Sequence, residues 1–256
     1  MTDATLRFLI TFGLLGVFFT LEALSPARQS NLSLKRFFNQ AGMAAISAVL
    51  ARLALAGGLT SVAMMADRSD IGIFNLFSFP KWLAIGLSFF VLDLAIWGQH
   101  WALHHLPFLW RLHRVHHGDT IMDVSTAFRF HPFEILTSLA FKAAIIISIG
   151  APPVAVLVFE IALGAGALFT HANIALPHWL ERWLRFALVT PALHLIHHSP
   201  NLLETNCNFG FSFNFWDRLF GTFRATPMLP NGPIGLETRR GDADQKLSHM
   251  LVDPFL

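Results

Sequence analysis

The stretch Lys81-Trp-Leu-Ala-Ile-Gly-Leu-Ser-Phe-Phe-Val-Leu-Asp93-Leu-Ala-Ile-Trp97-Gly-Gln-His100-Trp-Ala-Leu-His104 decides the fold. From its Pro80-Lys81-Trp82 boundary it stays apolar to about Trp101, with Asp93 the single acidic residue inside. A run of that length crosses a bilayer as a helix. It then presents two histidines four residues apart, which share one helical face.

Two further clusters follow. His113-Arg-Val-His116-His117 is one, and His194-Leu-Ile-His197-His198 repeats its spacing. Neutral imidazole is the commonest nitrogen ligand for transition metals. Eight imidazoles suffice for two ions, whereas a single structural zinc needs only four ligands. His178 and His249 stand alone, and a lone histidine in an apolar chain reads as a hydrogen-bonded core residue.

Composition supports the membrane reading. A length of 256 residues fits one domain or one compact membrane bundle. Only 13% of residues are charged and 54% are hydrophobic, with 26 Phe. Soluble domains carry about 25% charged residues, so this is a membrane composition. A net charge of +2 gives no ground for a nucleic-acid partner. Cys207 is the only cysteine, which excludes an internal disulfide and any cysteine-based zinc or iron–sulfur site. The absence of tyrosine excludes a tyrosyl radical or a tyrosine general acid.

Three other apolar regions complete the layout. Phe8 to Leu24 holds one charge, Glu22, and Ala41 to Ala66 is broken only by Arg52. Ile135 to Phe169 is long enough for two short passes, divided at Ala151-Pro152-Pro153, where proline breaks the helix. The start, Met1-Thr-Asp-Ala-Thr, lacks a basic n-region and a cleavage site, so the first run reads as a retained span. The expected fold is an all-α integral membrane bundle with a helical cap carrying a histidine-rich dinuclear metal site. Residues 1–89 would form N-terminal transmembrane helices. Residues 90–224 would form the catalytic domain, with a membrane hairpin at about 135–170, and 225–256 a surface tail.

Basic residues set the orientation. Arg28, Lys35 and Arg36 follow span one, Arg111, Arg114 and Arg129 follow span three, and Arg182, Arg185, Arg218 and Arg224 follow the hairpin. The positive-inside rule then puts the N-terminus outside and every histidine cluster on the cytoplasmic side. In His178 to Val189, charge opposes Trp179, Trp183 and Phe186, which suits a helix lying in the interface or packed on the protein. Lys142 and Glu160 fall in facing passes of the hairpin and read as a pair. Asp217 and Arg218 read as a salt-bridged corner.

The chain contains no Glu-x-x-His and no His-Glu-x-x-His, which sets aside carboxylate-bridged di-iron bundles and zinc proteases. An all-histidine dinuclear site remains. Ligand type leaves the metal open, but zinc has no redox chemistry, so oxygen activation calls for iron even where a purified sample carries zinc.

The motifs also match a known family. Asp93-x3-Trp97-x2-His100-x3-His104 is followed by Leu109-Trp110-Arg111-x-His113-x2-His116-His117, Arg129-Phe-His131-Pro132-x-Glu134 and Phe169-Thr-His171-Ala-Asn173. Then come Thr190-Pro191-x2-His194-x2-His197-His198, Asn208-Phe-Gly210 and Trp216-Asp217-Arg218. This series resembles the fatty acid hydroxylase/sterol desaturase superfamily of membrane di-iron oxygenases.

The resemblance implies that His100, His104, His113, His116, His117, His171, His194, His197 and His198 are iron ligands. It gives His131 as a ligand or an outer residue. Some members carry a further histidine where Ala175 stands, so water or an amide, Asn173 or Asn208, would complete the coordination. It further implies O2 as co-substrate and a fatty acyl, sterol or related lipid substrate. A separate electron donor, such as a ferredoxin or cytochrome b5 with its reductase, would supply electrons. The membrane would be the cell membrane if bacterial and the endoplasmic reticulum if eukaryotic. A carotenoid hydroxylase or ketolase is the nearest alternative, and a non-enzymatic membrane metal or haem protein is the alternative of another class.

Asp93, Trp97, His100 and His104 share one face. Asp93 would therefore accept the free N–H of a ligand histidine; its alternative is to pair with Arg52 or Lys142 inside the membrane.

Overall fold

The computed structural model describes residues 3–29, 33–77 and 79–256. Met1 and Thr2, part of the start read for a cleavage signal, lie outside the described residues. The chain is all-helical, and extended pairing among the described residues is confined to two isolated bridges, Pro26 with Ile174 and Leu188 with Phe213. Five helical segments are long and apolar enough to cross a membrane: α1 (Asp3–Leu24), the stretch Leu34–Leu76, α5 (Lys81–His105), α7 (Pro132–Ile149) and α8 (Pro153–His171).

The second of these is broken, where an uninterrupted run from Ala41 to Ala66 was expected. It divides into α2 (Leu34–Ala54), α3 (Gly58–Arg68) and the single turn α4 (Ile73–Leu76). The cause is the pair Gly57-Gly58: Gly58 adopts φ +69° in the left-handed region, which a continuing helix cannot use. Pro132 and Pro153 each stand at the first helical position of α7 and α8, where a missing N–H costs nothing. The turn between them closes on Gly150 at φ +66°. There the chain from α3 to α4 touches the hairpin tip so closely that a Cβ on Gly72 would lie 2.1 Å from the Gly150 nitrogen.

Polar contacts fix which helix ends lie together. Glu22, near the end of α1, accepts from the backbone N–H groups of Val124 and Asn173, each at 2.7 Å. Arg36, in the first turn of α2, donates to Asp119 at 2.9 and 2.6 Å and pairs with Asp123. Arg36 and its two acidic partners are all buried, and buried Arg129, 3.9 Å from Asp119, supplies the second positive charge that balances them. These contacts gather the ends of α1 and α8 and the start of α2 around residues 119–124, under one cap. The cap comprises α6 (Pro107–His117), α9 (His178–Leu184), α10 (Pro191–His197), α11 (Leu202–Thr205), α12 (Phe215–Leu219) and α13 (Leu247–Val252). Every histidine cluster lies at that end.

Three local expectations change. The helix beginning at His178 stops at Leu184, yet Trp179, Trp183 and Phe186 project outward at 66, 75 and 80% exposure. Glu181 turns inward, accepting from Thr190 at 2.6 Å and pairing with Arg185. The segment after Arg224 does not hang from the surface. Met250 packs with Met43 and Val115, and buried Asp253 binds both Arg114 and Arg239. Finally, His178 is exposed and His249 is half-buried beside Asp244 at 3.2 Å, so neither lone histidine belongs to the core.

Candidate metal centre

Nine histidines converge in two groups. His100, His104, His113, His117 and His197 form one; His116, His171, His194 and His198 form the other. Within each group one ring nitrogen per residue lies within 4.8 Å of all the others. The arrangement follows from helix geometry. Residues four apart share a face, so His100 with His104, His113 with His117, and His194 with His198 stay together. His116 and His197 sit one residue from a partner and therefore point about 100° away, into the other group. The two His-x-x-His-His motifs are thus crossed, each supplying both groups. The groups abut: the rings of His117 and His198 stack at a centroid distance of 4.5 Å.

The ring nitrogens fit metal ions better than they fit each other. In the second group, Nε2 of His171 lies 3.0 Å from Nε2 of His116 and 3.1 Å from Nε2 of His194, which is itself 3.3 Å from Nε2 of His198. In the first, Nε2 of His100 and of His113 are 3.1 Å apart. Bonds of 2.0–2.1 Å to one ion place neighbouring ligand atoms about 3.0–3.4 Å apart. Nε2 of His117 and of His197 are buried with no hydrogen-bond partner, a cost that a bound ion removes. Burial, then the neighbouring imidazoles, hold His116, His117, His194 and His198 well below the ordinary histidine range; in His197 the same order applies. Neutral imidazole is the form a metal needs. Cys207 is no competitor, because burial pushes its thiol up to about 12. A haem does not fit, since its axial ligands stand on opposite faces of a macrocycle and these nitrogens are contiguous.

The outer nitrogens of the first group are held by fixed acceptors. His113 Nδ1 lies 2.7 Å from Glu134, His100 Nδ1 lies 2.8 Å from the Phe209 carbonyl, and His197 Nδ1 lies 2.8 Å from the Cys207 carbonyl. Such partners orient a ligand ring and raise its basicity. The loop carrying those two carbonyls is clamped by Asp217. Its carboxylate accepts from the N–H groups of Phe209 and Gly210, each at 2.8 Å, from Thr222 at 2.6 Å and from Trp97 at 3.1 Å. Arg218 donates instead to Asn214 and lies over the Phe223 ring, so the expected Asp217–Arg218 corner is absent.

The remaining candidates stand outside the two groups. His131 caps α7, its Nδ1 accepting from Phe133 N–H at 3.2 Å, while its Nε2 lies 3.2 Å from the Leu251 carbonyl. Asp93 accepts from Trp216 at 2.8 Å and hydrogen-bonds to none of the grouped histidines; Arg52 donates to the Ala56 carbonyl just past the end of its helix. The carboxylate that meets a ring of the two groups is Glu134, at His113, two residues beyond Pro132 in the His-Pro-x-Glu motif. Asn173 pairs with the Arg28 backbone at 2.9 and 2.8 Å. Asn208 holds the Leu193 and Arg224 backbone. Glu160 pairs with Arg7 rather than with Lys142. The carbonyls of Phe209 and Cys207 left no trace in the sequence, because any residue type supplies one.

Residues 85–222 match the fatty acid hydroxylase family, more than half the chain. The chain belongs to that family. Among curated relatives, it is 30% identical to ornithine lipid hydroxylase OlsE of Rhizobium tropici over 177 residues, 69% of this chain and 51% of that protein. It is 28% identical to alkylglycerol monooxygenase of Danio rerio over 144 residues, 54% of this chain and 30% of that protein. It is 27% identical to Delta(7)-sterol 5(6)-desaturase ERG3B of Gibberella zeae over 157 residues, 60% of this chain and 46% of that protein. The chain thus spans about half the length, or less, of these relatives. No solved structure matches it significantly. Within the family segment lie all nine grouped histidines, Glu134 and the Asp217 clamp.

Proposed function

We propose that this multi-pass membrane protein oxidises a C–H bond of a lipid, by hydroxylation or desaturation, using O2 and a dinuclear iron centre. The observation that carries the reading is the pair of abutting all-histidine groups at one end of the bundle. Iron bound there would supply the redox chemistry with O2. The chain's own part is to present nine imidazoles, to fix His100, His113 and His197 through their outer nitrogens, and to exclude water by burial. The relatives whose names specify lipid hydroxylation, alkylglycerol oxidation and sterol desaturation support a lipid substrate.

Electrons would come from a separate carrier, such as a ferredoxin or a cytochrome b5 with its reductase, docking on the cap. The positive-inside rule favours a cytoplasmic cap. Tags near residue 30 and at the C-terminus should then both report cytoplasm and a tag near Asp70 the opposite side; a cytoplasmic signal at Asp70 would reverse the layout.

Lipid mass spectrometry of cells carrying the wild-type chain, the His197→Ala chain or neither tests the reaction. A lipid gaining one oxygen or losing two hydrogens only with the wild type is expected. Identical lipids in all three would refute the reading.

A further inference from the structure

A cavity of about 240 Å³ runs between α5, α7 and α8 from the metal centre into the depth of the bundle. His100 and Glu134 line its cap end, Lys142 and Glu160 its deep end. Lys142 stands eight residues past Glu134, about 12 Å of helix rise. Along this wall Glu134, Ser138 and Lys142 recur every fourth residue and share one face of α7. Ser138 donates to Gln99 at 3.1 Å across the cavity. The opposing surface is apolar, from Ile96 on α5 and Leu163 on α8. At Gly164 a Cβ would meet nothing within 4 Å, so the space continues over it. The cavity is an apolar slot with a polar stripe and a charged floor.

The floor is unbalanced. Glu160 is engaged by Arg7, which also donates to Thr60 at 2.6 Å. Lys142 makes no hydrogen bond and no contact-distance ion pair among the described residues; the opposite charge that acts on it, Glu160, is already held by Arg7. An ammonium at membrane depth is costly unless it is paired, so one that faces a cavity marks a place for a ligand. Arg7, Lys142 and Glu160 together leave one positive charge, the complement of one carboxylate.

We propose that this cavity holds the substrate and that Lys142 binds a carboxylate at its deep end. The substrate is then an acyl chain with a free carboxylate, oxidised at a carbon remote from that group. The proposal rests on the oxygenase reading above. It also makes Lys142 the residue that sets which carbon reaches the metals, because the anchor fixes the chain's register in the slot.

The test is binding, measured without turnover. The full chain in phosphatidylcholine nanodiscs is titrated with dodecanoic acid and with its methyl ester, following tryptophan fluorescence. The wild type should bind the acid at least tenfold tighter than the ester. Lys142→Met should abolish that preference while leaving ester affinity and metal content unchanged, and Lys142→Arg should keep it. Gly164→Leu, which fills the slot, should weaken both ligands. Equal affinity of the wild type for acid and ester would overturn the proposal without recourse to any variant, as would an undiminished preference in Lys142→Met. Acid preference without any lipid oxidation in cells would leave the pocket standing and sink the oxygenase reading; the converse outcome would do the reverse.

Discussion

The five-histidine and four-histidine groups draw on the same two His-x-x-His-His motifs yet are held differently. In the first, three outer nitrogens rest on Glu134 and on the carbonyls of Phe209 and Cys207. In the second, only His171 has such a partner, the Ala167 carbonyl at 2.6 Å, while Nδ1 of His116 and of His194 are buried without one. His116 is positioned instead by stacking on Phe130 at 4.3 Å. Stacking fixes the plane of a ring but does not raise its basicity. The first group is therefore the more preorganised, and the second should release its ion first when a chelator is added.

Removing a ligand is the largest test of that contrast. His197→Ala should abolish lipid oxidation and lose the ion of the first group, and His198→Ala should do the same for the second. Metal analysis after purification checks both; an unchanged metal content in either variant would break the assignment. Glu134→Gln comes next. It spares every ligand but weakens the hold on His113, so a loss of about 10–100-fold in metal affinity or turnover is expected, confined to the first group. An equal loss from the second group would mean that the two are not separately held.

Asp217→Asn should act through the loop. An amide cannot accept from all four donors, and the mismatch at a buried site costs about 1–3 kcal/mol. A lower unfolding temperature with weaker metal retention in the first group alone is expected, since His100 and His197 lean on that loop. Asp93→Asn should do least. Trp216 can donate to the amide oxygen as it does to the carboxylate, so a stability change of about 1 kcal/mol or less and near-normal turnover are expected. A hundredfold loss of turnover in folded Asp93→Asn would bring Asp93 back to the metal site.

The contrast also shows how far the residues speak for themselves. The five passes, the cap and eight of the nine grouped histidines were legible, because apolar length and the spacing within a cluster are properties of the chain alone; His171, with no histidine four residues away, came only with the family resemblance. The break in the second pass was written in Gly57-Gly58, but a glycine pair inside an apolar run reads equally as tolerated. The choice of carboxylate was not legible from one helix: Asp93 shares a face with His100 and His104, yet Glu134, arriving on another helix, takes His113. His131 sits in the same motif as Glu134 and turns the other way, toward the C-terminal segment, whose packing depends on contacts from Arg114 and α2. Lys142 and Glu160 looked like a pair until α1 brought Arg7 to Glu160. Each miss lies where a partner distant in sequence decided between two locally acceptable arrangements.

The central claim is that the crossed motifs make two metal sites in one chain. Reconstitution of the metal-free protein with ferrous iron under anaerobic conditions, followed to saturation by elemental analysis, measures it directly. Saturation at two irons per chain is the expected result, filling in two steps with the Glu134-supported group first. Saturation at a single iron per chain would contradict the account.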